Sequence, residues 1–185
     1  MIAQILAIEH PERVRSLTLI MSTTGHHQVG QPTDAARALF LLPPVTTREE
    51  AIDRALLFNR TVGSPAYPTD QSELRDRAVR AFDRALNPQG IARQLAAAMT
   101  TPDRTEDLRR LDLPALVIHG AEDPVIGLSG GQATAEAIPG AELVVIDGMG
   151  HDLPRPVWPT IAERIAALVA RAQRPRSTST SLSET

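Results

Sequence analysis

The sequence predicts an α/β protein built on a parallel sheet, and three observations carry that prediction. Two short apolar runs, "PALVIHG" (114–120) and "ELVVID" (142–147), read as strands buried on both faces. An earlier run, "VRSLTLIMST" (14–23), reads as a third strand. Helical sequence separates each strand from the next, and that alternation is the pattern of a parallel sheet. At 185 residues the chain has the length of one ordinary domain, and 42% hydrophobic residues suffice for a packed core.

Taken in order, the elements follow from local chemistry. Ile2, Ile5, Leu6 and Ile8 predict an opening helix that is apolar almost all round, which implies burial. His10-Pro11 stops it, because a residue before proline is pushed out of the helical region. The first strand ends in a turn at "TTGHH". Residues 32–110 change character: they are rich in Arg, Asp, Glu and Ala, with helical periodicity and no convincing strand. Thr47-Arg48-Glu49-Glu50 has the form of a capping box, followed by Ile52, Ala55, Leu56 and Phe58. "SPAYP" (64–68) breaks that helix, and a second runs from about Asp70 to Leu86, with Leu74, Ala78, Val79 and Phe82 near one face. Asn87-Pro88 supplies an N-cap and an N1 proline for a third, through Met99. A helical module is thus inserted between two strands. After "PALVIHG", a short helix within 129–141 ends at a proline and a glycine, and "ELVVID" follows. A last amphipathic helix spans Pro156 to Ala172, with Trp158, Ile161, Ile165, Leu168 and Val169 apolar. The polar, low-complexity tail 175–185 is expected to be disordered.

Composition narrows the function classes. With 19 basic and 22 acidic residues the net charge is −3, and no block of like charge suggests a nucleic-acid or polyanion partner. All 19 basic residues are arginine, which reads as a genomic composition bias. The absence of cysteine excludes disulfides, thiolate zinc sites and a Cys nucleophile within these residues. The first residues lack the basic region and cleavage site of a signal peptide, and no stretch reaches the ~18 apolar residues of a membrane span. A soluble, cytoplasmic protein is the expectation. Neither GxGxxG nor a Gly-Lys-Ser/Thr loop is present, so Gly130-Gly131 is no phosphate loop. The His and Asp residues show no metal-ligand spacing. No cofactor is expected.

Functional groups of open α/β sheets gather just past the carboxyl ends of the strands. Two residues qualify. Asp123 follows the strand-terminal Gly120 by three residues, and His151 follows the last strand by four. They lie 28 residues apart, one β-α-β step, so neighbouring strands bring the side chains within reach of each other. An Asp that orients a His is half of a nucleophilic triad: the carboxylate fixes the tautomer, and the imidazole takes and returns a proton. Each residue also has an ordinary reading. Asp-Pro after a strand is common turn chemistry, and a His near a strand end is often a surface residue. Their order and their joint placement carry more than either alone. Glu122, by a one-residue shift of the turn, and the flanking Asp147 and Asp152 compete with Asp123 as the acid. His119 is expected to pack or bond locally, and His26 and His27 to face solvent. Gly148 and Gly150 read as a hinge on which the imidazole swings over the sheet.

Three stretches resemble the α/β-hydrolases. "MIAQILAIEHPERVRSLTLIMST" is similar to the segment just after their nucleophile elbow, "LDLPALVIHGAEDPVI" to their acid strand and loop, and "IPGAELVVIDGMGHDLP" to their terminal strand and catalytic histidine. The resemblance covers residues 1 to about 172. With "NPQGIARQLAA" and "GMGHDLP" it points to actinobacterial carboxylesterases and the aclacinomycin methylesterase group. It implies the C-terminal part of a hydrolase sheet, with core at 1–31 and 111–174 and a helical lid at 32–110. Asp123 then matches the triad acid and His151 the triad base, in the chain order Ser…Asp…His. The implied partner is a small-molecule carboxylic ester; the lid's Leu39, Phe40, Leu41, Leu56, Phe58 and Phe82 lean towards a lipid-like or aromatic group, but residues of this kind are more often plain helix-packing core.

The nucleophile does not fit the pattern. No G-x-S-x-G occurs, and Ser16, Ser22, Ser64, Ser72 and Ser129 lack the flanking glycines and the strand-to-helix setting. In the family, Met1-Ile2-Ala3-Gln4 would follow the elbow by a few residues, and the loop giving half the oxyanion hole would lie further upstream. The expectation is therefore an ester hydrolase whose serine lies upstream, with these 185 residues alone inactive, poorly soluble or partly disordered over 1–25. The alternatives are a truncated remnant or binding module, or the same fold with epoxide hydrolase, dehalogenase or haloperoxidase-like chemistry.

Overall fold

The computed structural model describes residues 1–173; the polar tail lies outside the described residues. Three strands, β1 (Leu17–Ile20), β2 (Ala115–Gly120) and β3 (Glu142–Ile146), form one sheet in the order β1-β2-β3. Both pairings are parallel, with Leu17 opposite Ala115 and Leu116 opposite Glu142. All six residues of β2 are buried, as the continuous apolar run requires. Its side chains alternate between two cores. Ala115 and Val117 join Leu17, Leu19, Leu108 and Ile138 on one face; Leu116 and Ile118 join Ile146, Met149, Ile161 and Leu168 on the other.

The helices are α1 (Ile2–Glu9), α2 (Asp34–Leu39), α3 (Arg48–Val62), α4 (Gln71–Arg84), α5 (Pro88–Met99), α6 (Thr105–Leu108), α7 (Leu128–Ala137) and α8 (Trp158–Ala172). The expected caps are in place. Thr47 Oγ1 accepts from Glu50 N at 3.2 Å, and Glu50 Oε2 accepts from Thr47 N at 3.3 Å, which completes the capping box. Asp70 is the N-cap of α4, and Asn87 Oδ1 accepts from Gly90 N at 2.9 Å with Pro88 as the first helical residue. α8 lies across the second core and anchors the start of β3, where Arg164 and Arg171 bond Glu142 at 3.2 and 3.0 Å.

α1 departs from expectation. It is buried through Gln4 and Ala7, while Ile2, Ile5 and Leu6 are exposed, Ile2 by 86%. The reason is geometric: residues 4, 7 and 8 share the stripe that faces β1, and Ile2, Ile5 and Leu6 lie on the stripe turned away from it. Gln4 is held by a polar knot. Its Nε2 donates to Ser22 Oγ and Thr23 O, and its Oε1 accepts from Arg104 Nε at 2.7 Å. Arg104 also donates to Pro102 O and Thr23 O, and burial pushes its guanidinium below its ordinary value. This knot ties the end of the helical segment to the loop after β1. Among the described residues, no helix is long and apolar enough to cross a membrane.

Candidate active site

The site stands at the carboxyl ends of β2 and β3. Beyond Gly120 the chain turns tightly, and Asp123 makes the turn: its Oδ1 accepts from Val125 N at 2.8 Å and Ile126 N at 2.9 Å. That fixes the carboxylate and leaves Oδ2 to face β3. The loop after β3 brings His151 to it, with Nδ1 2.7 Å from Oδ2. The Asp123 side chain is fully buried, whereas the imidazole is 30% exposed. Nε2 has no hydrogen-bond partner among the described residues.

The two loops are joined by backbone. Ala121 N donates to Ile146 O and Glu122 N to Met149 O, both at 3.0 Å. Gly120 permits this approach, since a Cβ there would lie 2.2 Å from Met149 O.

The glycines beside the histidine have two different reasons, and only one is the expected one. Gly148 has φ +69°, a left-handed angle that other residues resist. Gly150 has no such angle; its backbone lies against the end of α3, where a Cβ would come 2.4 Å from Gly63 O. His151 N donates to Val62 O at 2.7 Å, Gly150 N to Ser64 Oγ at 2.9 Å, and Ala66 N to Gly148 O at 3.2 Å. The expected hinge is thus a clasp between the histidine loop and the turn that follows α3. Val62 O, a helix-end carbonyl with no partner in its own helix, gains one there.

The other candidates fall elsewhere. Glu122 and Asp147 are exposed, and Asp152 accepts from Ser64 Oγ. His119 bonds locally: Nε2 donates to Ile126 O at 2.7 Å, and Asp123 Oδ2 is 3.6 Å from the same nitrogen. His119 Nδ1 is buried without a partner. His27 is exposed, and His26 is half-buried and packed against it, with ring centroids 4.7 Å apart and the rings tilted by 34°. No group of three or more His, Asp or Glu among the described residues is placed to hold a metal. Sequence reasoning missed the contacts of Ser64, because nothing local connects a helix-breaking "GSP" to a loop 86 residues later.

An imidazole that donates from Nδ1 to an ionised carboxylate presents a lone pair at Nε2, the arrangement needed to accept a proton. Comparison with known proteins places the chain, by sequence and fold, in a family. The chain is 29% identical over 185 residues to rhodomycin D methylesterase DauP of Streptomyces sp. (strain C5), a match that spans 90% of this chain and 62% of the methylesterase. It is 31% identical to 2-hydroxymuconate semialdehyde hydrolase of Pseudomonas putida, across 91% of this chain and 57% of that enzyme. Esterase RhEst1 of Rhodococcus sp. has a similar fold, with a TM-score of 0.64 at 21% identity over 91% of this chain and 61% of that structure. The chain therefore spans about three-fifths of the length of the relatives it matches. The family profile for the alpha/beta hydrolase fold matches residues 1–154. The chain belongs to the α/β-hydrolase fold family.

Proposed function

We propose that these residues carry the acid and the base of a carboxylic-ester hydrolase, with Asp123 orienting His151 and a serine supplied by sequence outside the 185 residues. The observation that carries the proposal is the 2.7 Å contact between His151 Nδ1 and the buried Asp123 carboxylate. A methylesterase among the relatives supports the ester reading. His151 Nε2 takes the serine hydroxyl proton as the oxygen bonds to the ester carbonyl carbon. Asp123 stabilises the imidazolium, which passes the proton to the departing alkoxide. Water then cleaves the acyl-serine by the same route. No cofactor enters this scheme. Residues 32–110 serve as a cap over the site, a role supported by the clasp between the end of α3 and the histidine loop.

Alone, the 185 residues lack the attacking atom and are expected to hydrolyse p-nitrophenyl esters no faster than buffer, because triad members act as a unit. Reading the DNA upstream of the Met1 codon and expressing the longer frame tests this. An in-frame G-x-S-x-G and ester hydrolysis by the longer protein are expected. Turnover at enzymatic rates by the 185-residue chain, or an inert longer protein with an intact elbow, would contradict it. A second reading has its own support in the 31% identical semialdehyde hydrolase. Cleavage of a ring-fission semialdehyde, with no ester turned over, would select it.

A further inference from the structure

We propose that Ser64 is a positioning residue for His151, holding the imidazole over Asp123 from the helical segment. This rests on the reading of Asp123 and His151 as an acid–base pair. Ser64 is buried, with 6% of its surface exposed, and its hydroxyl has two partners, both beside the histidine. Oγ accepts from Gly150 N at 2.9 Å and donates to Asp152 Oδ1. Gly150 and Asp152 are the residues before and after His151, so one hydroxyl holds the backbone N–H on one side of the imidazole-bearing residue and the side-chain carboxylate on the other. The bond from His151 N to Val62 O holds the backbone of His151 itself. No residue of β3 makes these contacts; they come from the turn after α3, 86 and 88 residues earlier in the chain.

The physical consequence is specific. His151 is 30% exposed, so packing alone does not hold its ring, and the Nδ1 contact to Asp123 depends on where the backbone places Cα. Removing the hydroxyl frees a buried Gly150 N–H and one Asp152 oxygen. Loss of a buried hydrogen bond raises local opening by roughly tenfold. The ring then samples positions away from Asp123, and the tautomer preference that the carboxylate imposes weakens. The strands, which Ser64 does not touch, are left as they were.

The test needs no turnover and uses the 185-residue chain. Nitrogen-15 spectra of the imidazole report the tautomer and the Nδ1–H proton, and backbone amides report the sheet. In the unaltered chain, His151 is expected as the Nδ1–H tautomer with a slowly exchanging ring proton. Its absence there would refute the acid–base pair itself. In Ser64→Ala, Nδ1–H exchange is expected to accelerate roughly tenfold and the tautomers to mix, with β1–β3 amides unshifted. Ser64→Thr, which keeps the hydroxyl, should restore the ring signal. A purely structural role would move sheet and ring together. An unchanged His151 ring in Ser64→Ala, beside a normal pair in the parent chain, would overturn the proposal. Should that variant not fold, Ser64→Cys, close in shape but a much weaker hydrogen-bonding group, carries the test, and an unchanged ring there would overturn it equally.

Discussion

Asp123 shows how one carboxylate is given a fixed direction. Two backbone N–H groups occupy Oδ1, so only Oδ2 is left for the imidazole, and burial keeps water from competing. This much was legible in the sequence: an Asp three residues past a strand-terminal glycine and a His four past the next strand, on neighbouring parallel strands. What decided between Asp123 and its rivals was not legible. Glu122 faces outward because it alternates with Asp123 in the turn, and Asp152 is taken by Ser64, a partner no local pattern announces. The spacing of the two loops rests on Gly120. In Gly120→Ala the new Cβ meets Met149 O at 2.2 Å and pries the loops apart. The expected loss is about 1–3 kcal/mol, the range for overpacking, read as a lower urea midpoint. An unshifted midpoint would mean that the loops yield at no cost.

At the scale of the element, helix ends were the most legible features and helix faces the least. The capping box at Thr47–Glu50, the Asp70 cap and the Asn87-Pro88 start all formed as the local chemistry dictates. α1 misled because eight apolar-rich residues cannot reveal which stripe meets a neighbour; Gln4 went inward and Ile2 outward since the buried polar knot around Arg104 needed an amide. The capping box makes a graded prediction for α3. Thr47→Ala should weaken its first turn by about 1 kcal/mol, the usual worth of such a cap, seen as faster amide exchange in α3. Hydrogen bonds from Thr46 and Thr47 hold the Glu50 carboxyl below its ordinary value of 4.5. A carboxyl lowered on folding stabilises above its unfolded value and loses that contribution as pH falls through the folded one. The first turn of α3 should therefore loosen only below about pH 4.5, and Glu50→Gln should remove that dependence. Fraying that sets in near neutral pH would contradict the assignment.

Across the whole molecule, three parallel strands and two cores follow from three apolar runs, and the helical segment follows from the absence of strand patterns between them. The tertiary use of that segment did not show in the sequence. α3, α4 and α5 hold no fully buried residue, so their periodicity recorded amphipathic helices without recording what they lean on. The structure supplies the missing link, in which the end of α3 clasps the loop that bears His151. The central claim is that Asp123 orients His151 for proton transfer. It is tested most directly by kcat for ester hydrolysis in the longer protein carrying Asp123→Asn. An amide there keeps the shape but favours the wrong imidazole tautomer. The account predicts a fall in kcat of roughly 10⁴-fold with KM little changed. A kcat close to that of the unaltered protein would contradict it.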